Sequence, residues 1–417
     1  MKINSEIKET IIKRLAITLG IILFIRLGTF LPVPGINHND LAFYIQSHSI
    51  TRSLVSTFAG EDTFVIGLFT LNIFPYINAS ILVQLILGFS PQLSKLQKEG
   101  DLEGKRSINR LTRVITLIWA IIQSVSLAFY LKQILFDWNY TLAAEIVLWL
   151  TTGSIIILWL SELITDYGLG NGASLLIYIN IISSLPNLSK AIISSETNLT
   201  LLSTIGIFLL IFGALYGIVS LQEGSRIIPL ISSKQLNQSP SQYGVVSTSY
   251  IPLRLNQAGV MPIILTTAIL VVPNYAMSIG LFPKIDLPEN SQFLSIFYWV
   301  GYFLLILLFS SFYSTIVLNP KDMSDQLQKM SVTIPGVRPG IQTTFYLKQV
   351  MKRTTLLGAT MLAILVTIPN FIESTFNITN LNGLSSTSLL ILAGVVLDLF
   401  REVKNIYFSN VYNNMYK

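Results

Sequence analysis

The run Lys13-Arg-Leu-Ala-Ile-Thr-Leu-Gly-Ile-Ile-Leu-Phe-Ile-Arg-Leu-Gly-Thr-Phe-Leu31 decides the fold. Basic residues precede an apolar stretch from Leu15 to Leu31 that only Arg26 interrupts. A helix that crosses a bilayer needs about 20 mostly apolar residues. With Lys2 and Lys8 the flank resembles a signal-peptide n-region, but no small-residue cleavage site follows and the run is long. The expectation is an uncleaved first membrane helix. The pattern then recurs. Ten stretches qualify, near 15–31, 73–89, 114–131, 142–163, 172–186, 201–221, 257–275, 296–318, 354–371 and 386–400. The fifth is short, and the second and seventh are the least clean. Composition agrees: of 417 residues, 52% are hydrophobic and 12% charged, where soluble domains carry roughly a quarter charged. A soluble globular enzyme, a disordered chain and a disulfide-stapled secreted domain are all excluded. There is no cysteine, and His38 and His48 are poor material for a metal centre. No cofactor is expected.

Lysine and arginine orient the spans, because cytoplasmic-type loops carry the excess. With the N-terminus on that side, 22 cations fall on it and four (Arg52, Lys132, Lys190, Lys284) on the other, with Arg26 inside a span. An even number of spans returns the C-terminus to the basic side, as Arg401 and Lys404 require. The net charge of +6 therefore belongs to one face.

Ten spans divide into five plus five, and an odd number per half inverts the second half. The expected fold class is all-α and polytopic, with ten transmembrane helices in two inverted halves: residues 1–200, spans one to five, and 201–417, spans six to ten. Inverted halves that meet at the midplane are a common transport architecture, and interrupted helices in corresponding positions mark the seam. Here these are the second span of each half. Span two carries Asn72, Pro75, Asn78 and Gln84; span seven carries Asn256, Gln257, Gly259 and Pro262. Proline removes a backbone donor, and amides in a bilayer need partners or water. The stretch from Leu31 to Asn72 is too broken to span and too apolar for a solvated loop. It either lies flat on the surface or folds back into a cavity, since re-entrant backbone is tolerated only where it lines protein or water.

Several chemistries are missing. Glu145, Glu162, Asp398 and Glu402 sit near span ends, and no acid lies near a span centre as in ion-coupled carriers. There is no Walker-type phosphate loop. Gly168-Leu-Gly-Asn-Gly172 follows no strand and reads as a tight helix–helix turn. The chain reads as a passive conduit driven by a partner that docks on the basic face. That face has two long loops, near 222–254 and 319–352. The second contains Asn319-Pro-Lys-Asp322 and Ile334-Pro-Gly-Val-Arg-Pro-Gly340, where paired prolines and glycines fix a rigid turn that holds Arg338 outward.

Seven motifs in order resemble the SecY family over essentially the whole chain. They are Leu31-Pro-Val-Pro-Gly-Ile36, Phe74-Pro-Tyr-Ile-Asn-Ala-Ser80, Lys98-Glu-Gly100, Gly168-Leu-Gly-Asn-Gly172, Pro252-Leu-Arg-Leu-Asn-Gln-Ala-Gly-Val-Met-Pro262, Asn319-Pro320 and Pro335-Gly-Val-Arg-Pro-Gly340. The resemblance implies a channel for unfolded polypeptides, with the two halves around a central pore that also opens sideways into lipid. It implies an apolar pore ring at Ile73, Ile77, Ala173, Ile177, Ile264 and Ile391. The pairs Ile73/Ile77 and Ala173/Ile177 are spaced i, i+4, hence share a helix face. An apolar constriction seals by dewetting; Ala173 departs from the bulky pattern. The resemblance also implies a plug near 52–64, with Phe58, Ala59 and Gly60, and a lateral gate of spans two and seven. The gate's polar cluster would be Asn78, Gln123 and Thr267. Arg338 matches a docking arginine, and Arg226 sits where the family often has two adjacent basic residues but is here followed by Ile227.

The implied partners are a SecE-like small membrane subunit, a SecA-like motor ATPase, a ribosome, a SecG-like subunit, the unfolded preprotein and membrane lipid, with no direct nucleic-acid contact. Heavy use of Asn, Ile, Ser and Thr suggests an AT-rich genome, and the Leu-Asn-Gln-Ala-Gly-Val-Met-Pro run resembles the plastid and cyanobacterial branch. The expected compartment is the thylakoid membrane of a plastid, with both termini towards the stroma; a bacterial plasma membrane is the second reading. A small-solute secondary transporter is the rival from another class, and an insertase scaffold with little pore activity the third.

Overall fold

A computed structural model describes residues 2–34, 66–90, 102–132, 139–194, 201–232, 249–257, 259–263, 265–266, 292–376 and 386–415. Long helices dominate. They are α1 (Lys2–Thr29), α2 (Phe74–Phe89), α3 (Leu102–Leu131), α4 (Tyr140–Tyr167), α5 (Gly172–Ser194) and α6 (Leu201–Glu223). After three short strands come α7 (Gln292–Val317), α8 (Pro320–Lys329), β4 (Val332–Thr333), α9 (Ile341–Phe376) and α10 (Ser386–Met415). Nine of the ten expected stretches thus lie on described helices, and of the seventh, residues 261–263 and 265–266 are described and helical. Among the described residues, Arg106–Phe129, Tyr140–Tyr167, Trp299–Lys329 and Ile341–Thr367 are long and apolar enough to cross a membrane. Their outer faces carry Leu148, Trp159, Leu304 and Leu308 exposed, as side chains meant for lipid would be.

The chain forms two compact units, Met1–Glu196 with Val395–Lys417, and Thr197–Gly394. In the first unit Val33, Ile66, Leu71, Leu127, Leu131, Ile146 and Leu150 form one buried cluster. The chain enters and leaves the segment 35–65 through a tied pair of ends. Val33 N–H donates to the Ile66 carbonyl (3.0 Å) and Leu68 N–H to the Leu31 carbonyl (2.9 Å). The returning turn lies so close to α4 that a Cβ on Gly153 would run into the Leu68 carbonyl.

The Gly168–Gly172 run is the expected tight turn between α4 and α5. Gly170 sits at φ +82°, which favours glycine. Thr18 of α1 fastens the turn: its hydroxyl accepts from Leu169 N–H (3.0 Å) and donates to the Arg14 carbonyl (2.8 Å). Arg26, the one cation inside an expected span, is also accounted for. Its Nη2 donates to the Ile179 carbonyl (2.6 Å) and the Ser183 hydroxyl (2.5 Å) on α5.

Pro75 does not interrupt span two. The helix begins at Phe74, so Pro75 falls in its first turn, where its missing N–H costs nothing. The break lies just before it, at Asn72, whose φ is +49°.

In the second unit Ile218, Tyr302, Ile306, Leu362, Val366 and Leu390 share a buried cluster, and α9 packs against both α7 and α6. The two basic loops are more structured than loops. β1 (Ser225–Pro229) pairs antiparallel with β3 (Tyr250–Arg254). β2 (Ile231–Ser232) pairs with β4, in the other loop. Between them they bury Ile228, Leu230, Leu253, Leu327, Ile334, Leu347, Val350 and Met351. A small module with its own apolar core therefore stands on the basic face.

Candidate functional site

Arg338 is presented by that module. Ile334 is buried and anchors one end of the turn, with Val337 N–H donating to its carbonyl (3.1 Å). Gly336 and Gly340, at φ +76° and +94°, allow a bend that other residues adopt only with strain. At the far end Ser324 Oγ donates to the Gly340 carbonyl (3.0 Å), and Thr343 Oγ1 donates to the carbonyl of Arg338 itself (2.9 Å). The backbone is tied on both sides and the guanidinium is exposed. Ahead of the turn, Asn319 caps α8 by accepting from Lys321 N–H (3.1 Å), Pro320 takes the first helical position, and Asp322 and Lys329 lie at the ends that suit their charges. The Asn319-Pro320 motif is thus a helix start that sets the approach to the arginine. Arg226 lies on β1, exposed, opposite Leu253.

The expected pore residues have mixed surroundings. Ile73 and Ile77, at the start of α2, are 1% and 5% exposed, and Ile77 N–H donates to the Ile73 carbonyl (3.1 Å). They share a face as their spacing requires, within a packed part of the first unit. Ala173 and Ile177 on α5 are half-buried, as is Ile391 on α10. Ile264 lies outside the described residues, as do Thr267 and the plug positions Phe58, Ala59 and Gly60.

Of the expected polar cluster, Asn78 on α2 and Gln123 on α3 are half-buried. Gln123 Oε1 is buried without a hydrogen-bond partner among the described residues. So is the indole Nε1 of Trp119, one turn earlier on α3, a position that the sequence reading missed. An orphaned acceptor and an orphaned donor on adjacent turns of one helix are costly in a bilayer. The signal available in sequence was the i, i+4 spacing of an indole and an amide in an otherwise apolar run.

The acids near span ends also find places. Glu162 on α4 receives a bidentate pair from Arg113 on α3, at 2.9 and 2.8 Å. Asp398 pairs with Arg401 one turn on (3.3 Å). Among the described residues no group of acids or histidines could hold a metal ion.

Comparison with known proteins converges on one family. The SecY family model matches residues 67–400. A protein translocase subunit SecY from Trieres chinensis is 60% identical, covering 99% of both chains. One from Guillardia theta is 42% identical over 99% of both, and one from a Synechocystis strain 38% identical over 97% of this chain and 94% of its own. Among solved structures, one described as a protein conducting channel superposes with a TM-score of 0.66 at 17% identity, covering 97% of this chain and 94% of that one. Another, concerned with the plug domain of SecY, gives 0.68 over the same shares. The fold class is the expected one, a polytopic helical membrane protein with ten transmembrane helices in two halves. A match of this extent, with relatives aligned from end to end, shows that the chain belongs to the SecY family of protein translocase subunits.

Proposed function

We propose that this chain is the protein-conducting channel subunit of a Sec translocase, passing unfolded polypeptides across a membrane or sideways into it. The observation that carries the reading is the full-length relation to translocase subunits at 60% identity. The chain acts as a conduit rather than an enzyme, and energy comes from a docked partner. Ile73, Ile77, Ala173, Ile177, Ile264 and Ile391 form the apolar constriction, which seals because a narrow apolar passage sheds water. Residues near 52–64 plug it. Spans two and seven form the lateral gate, with Asn78, Gln123 and Thr267 as its polar cluster. Interhelical hydrogen bonds in membranes are worth only about 0.6–2 kcal/mol, weak enough for a signal sequence to displace.

Arg338 is the docking contact for a SecA-like motor or a ribosome, with Arg226 as a secondary contact. The tied backbone around Arg338 supports this, because a pre-ordered cation loses less freedom on binding. One of the solved structures with this fold is a Sec61 channel with a ribosome. A SecE-like subunit, and a SecG-like one, complete the assembly. Relatives from algal plastids and cyanobacteria support the thylakoid membrane as the site of action, with the basic face and both termini towards the stroma.

The test is a photo-crosslinker at Ile77 with a secretory precursor stalled in transit. An adduct with the precursor is expected. Its absence, in a complex that still translocates, would remove the pore from this helix face.

A further inference from the structure

The beginning of span seven carries a polar connection that neither the apolar constriction nor the docking face uses. Ser314, near the end of α7, donates its hydroxyl to Gln257 Oε1 (2.9 Å) and lies 2.8 Å from the Thr355 hydroxyl on α9. Ser314 and Thr355 are both buried. Each hydroxyl has a single proton. With Ser314's proton spent on Gln257, Thr355 must donate to Ser314, and the three side chains form one directed chain from α9 through α7 to the bend that leads into span seven. The Gln257 Nε2 is buried with no hydrogen-bond partner among the described residues. Turning the amide over exchanges the roles but not the outcome: one of its two polar atoms stays unpaired.

The backbone on either side is held. Leu255 N–H donates to the Gly224 carbonyl (2.9 Å), and Asn256 Nδ2 donates to the Gly259 carbonyl (3.0 Å). A Cβ on Gly358 of α9 would run into the Leu255 carbonyl. Just beyond, Pro262 stands at the head of the span, where no N–H is available to tie it back.

We propose that Gln257 is a positioning residue, a half-satisfied latch that holds the basic-side root of span seven against spans eight and nine and keeps the closed gate only slightly favoured. The proposal rests on the reading of span seven as a gate helix. Its physical content is an opposition within one side chain. The bond to Ser314 holds the root in place, while the orphaned amide atom favours any displacement that brings it water or an acceptor. An amide with both atoms paired would hold the gate shut more firmly, and an apolar side chain would neither pull nor push.

Two substitutions therefore act in opposite senses. Ser314→Ala strips Gln257 of its one partner among the described residues and leaves both amide atoms without one. Gln257→Leu keeps the volume, removes the orphan, and leaves Ser314 bonded to Thr355. The experiment reconstitutes the full translocase complex in planar bilayers and proteoliposomes, and records resting ion conductance without precursor and transport of a precursor with a weakened signal sequence. Ser314→Ala is expected to raise resting conductance by roughly fivefold or more, the lower limit of what one unpaired buried group costs, and to improve transport of the weak precursor. Gln257→Leu is expected to leave both at or below the parent level. Ser310→Ala, a buried serine one turn away on α7 and outside the chain of hydroxyls, is the packing control and should change neither.

A merely structural network predicts the same sign for both variants. Equal loosening by Ser314→Ala and Gln257→Leu, or no change in either, overturns the latch. If the parent complex itself transports no precursor, it is the channel reading that fails, and that result is distinct from either pattern.

Discussion

Leu347→Ala tests whether the small module on the basic face is what presents Arg338. Leu347 is fully buried, on the first turns of α9, in the cluster with Ile228, Leu253, Leu327 and Ile334. Truncating a buried leucine costs about 2–5 kcal/mol. That is large against the 5–15 kcal/mol that holds typical whole domains together, and larger still against a module whose buried cluster has eight members. The membrane part of α9 lies further along the helix, so insertion is expected to be normal. The loss should appear where the core supports the turn. Ile334 loses its packing, and with it the anchor for the Val337 N–H bond to the Ile334 carbonyl. At the lower figure the opening equilibrium shifts roughly thirtyfold, and hydrogen exchange at Val332, Thr333 and Val337 should quicken by that factor while exchange within α4 stays unchanged. Motor-driven translocation into proteoliposomes should fall in parallel, and Arg338→Glu should lower it in the same way without disturbing the exchange. Unchanged exchange would refute the claim that this core holds the turn. Faster exchange with normal translocation would refute the claim that docking needs the arginine pre-ordered.

Three further outcomes follow from the geometry. Gly153→Ala, which forces a methyl group against the Leu68 carbonyl, should cost about 1–3 kcal/mol and lower the unfolding temperature in detergent; an unchanged temperature would mean the turn before α2 can move aside freely. Glu162→Gln breaks the bidentate pair with Arg113, whose side chain is 56% exposed, and should cost no more than about 1 kcal/mol. That cost should vanish in molar salt, where the screening length falls to about 3 Å, and a salt-independent loss would contradict a solvent-screened pair. Deleting residues 52–64 should raise resting ion conductance of the reconstituted complex, and unchanged conductance would remove the plug.

Much of the fold was legible because a bilayer imposes a length and a charge rule on sequence. The apolar spans and the tight turn at Gly168–Gly172 follow from local rules, so each could be read from a few adjacent residues, whereas α1, α3, α9 and α10 run on well past the apolar stretches and Asn319-Pro320, read as part of a loop, starts a helix. The module on the basic face could not. Its strands β2 and β4 have two residues each, too short for alternation to register, and the pairing Ile231 with Thr333 joins segments about a hundred positions apart. Loop composition carried the charge pattern but not the pairing. Span two was misread for a related reason. A proline within an apolar run signals a break, but whether the helix ends there or begins there depends on the preceding backbone, and here Asn72 at positive φ makes it a beginning.

The polar side chains show where reading residue types stops being informative. Gln123 and Gln257 are both amides beside apolar stretches, and residue type alone does not separate them. Their surroundings differ in kind. Gln257 has a hydroxyl partner and one orphaned atom, whereas Gln123 has an orphaned acceptor one turn from an orphaned indole donor at Trp119. The first can hold a helix in place and be released at small cost. The second has a donor and an acceptor that do not meet, so it stores an unmet demand that a water or an incoming polar group would satisfy. A Gln123→Leu substitution should therefore leave the first unit as stable or more so, because it removes a buried unpaired acceptor, while Ser314→Ala should weaken the second unit. Thermal unfolding of the two variants separates them: a loss of stability in Gln123→Leu equal to that in Ser314→Ala would mean that Gln123 is bonded in the membrane, and that its polar demand is already met in the closed channel.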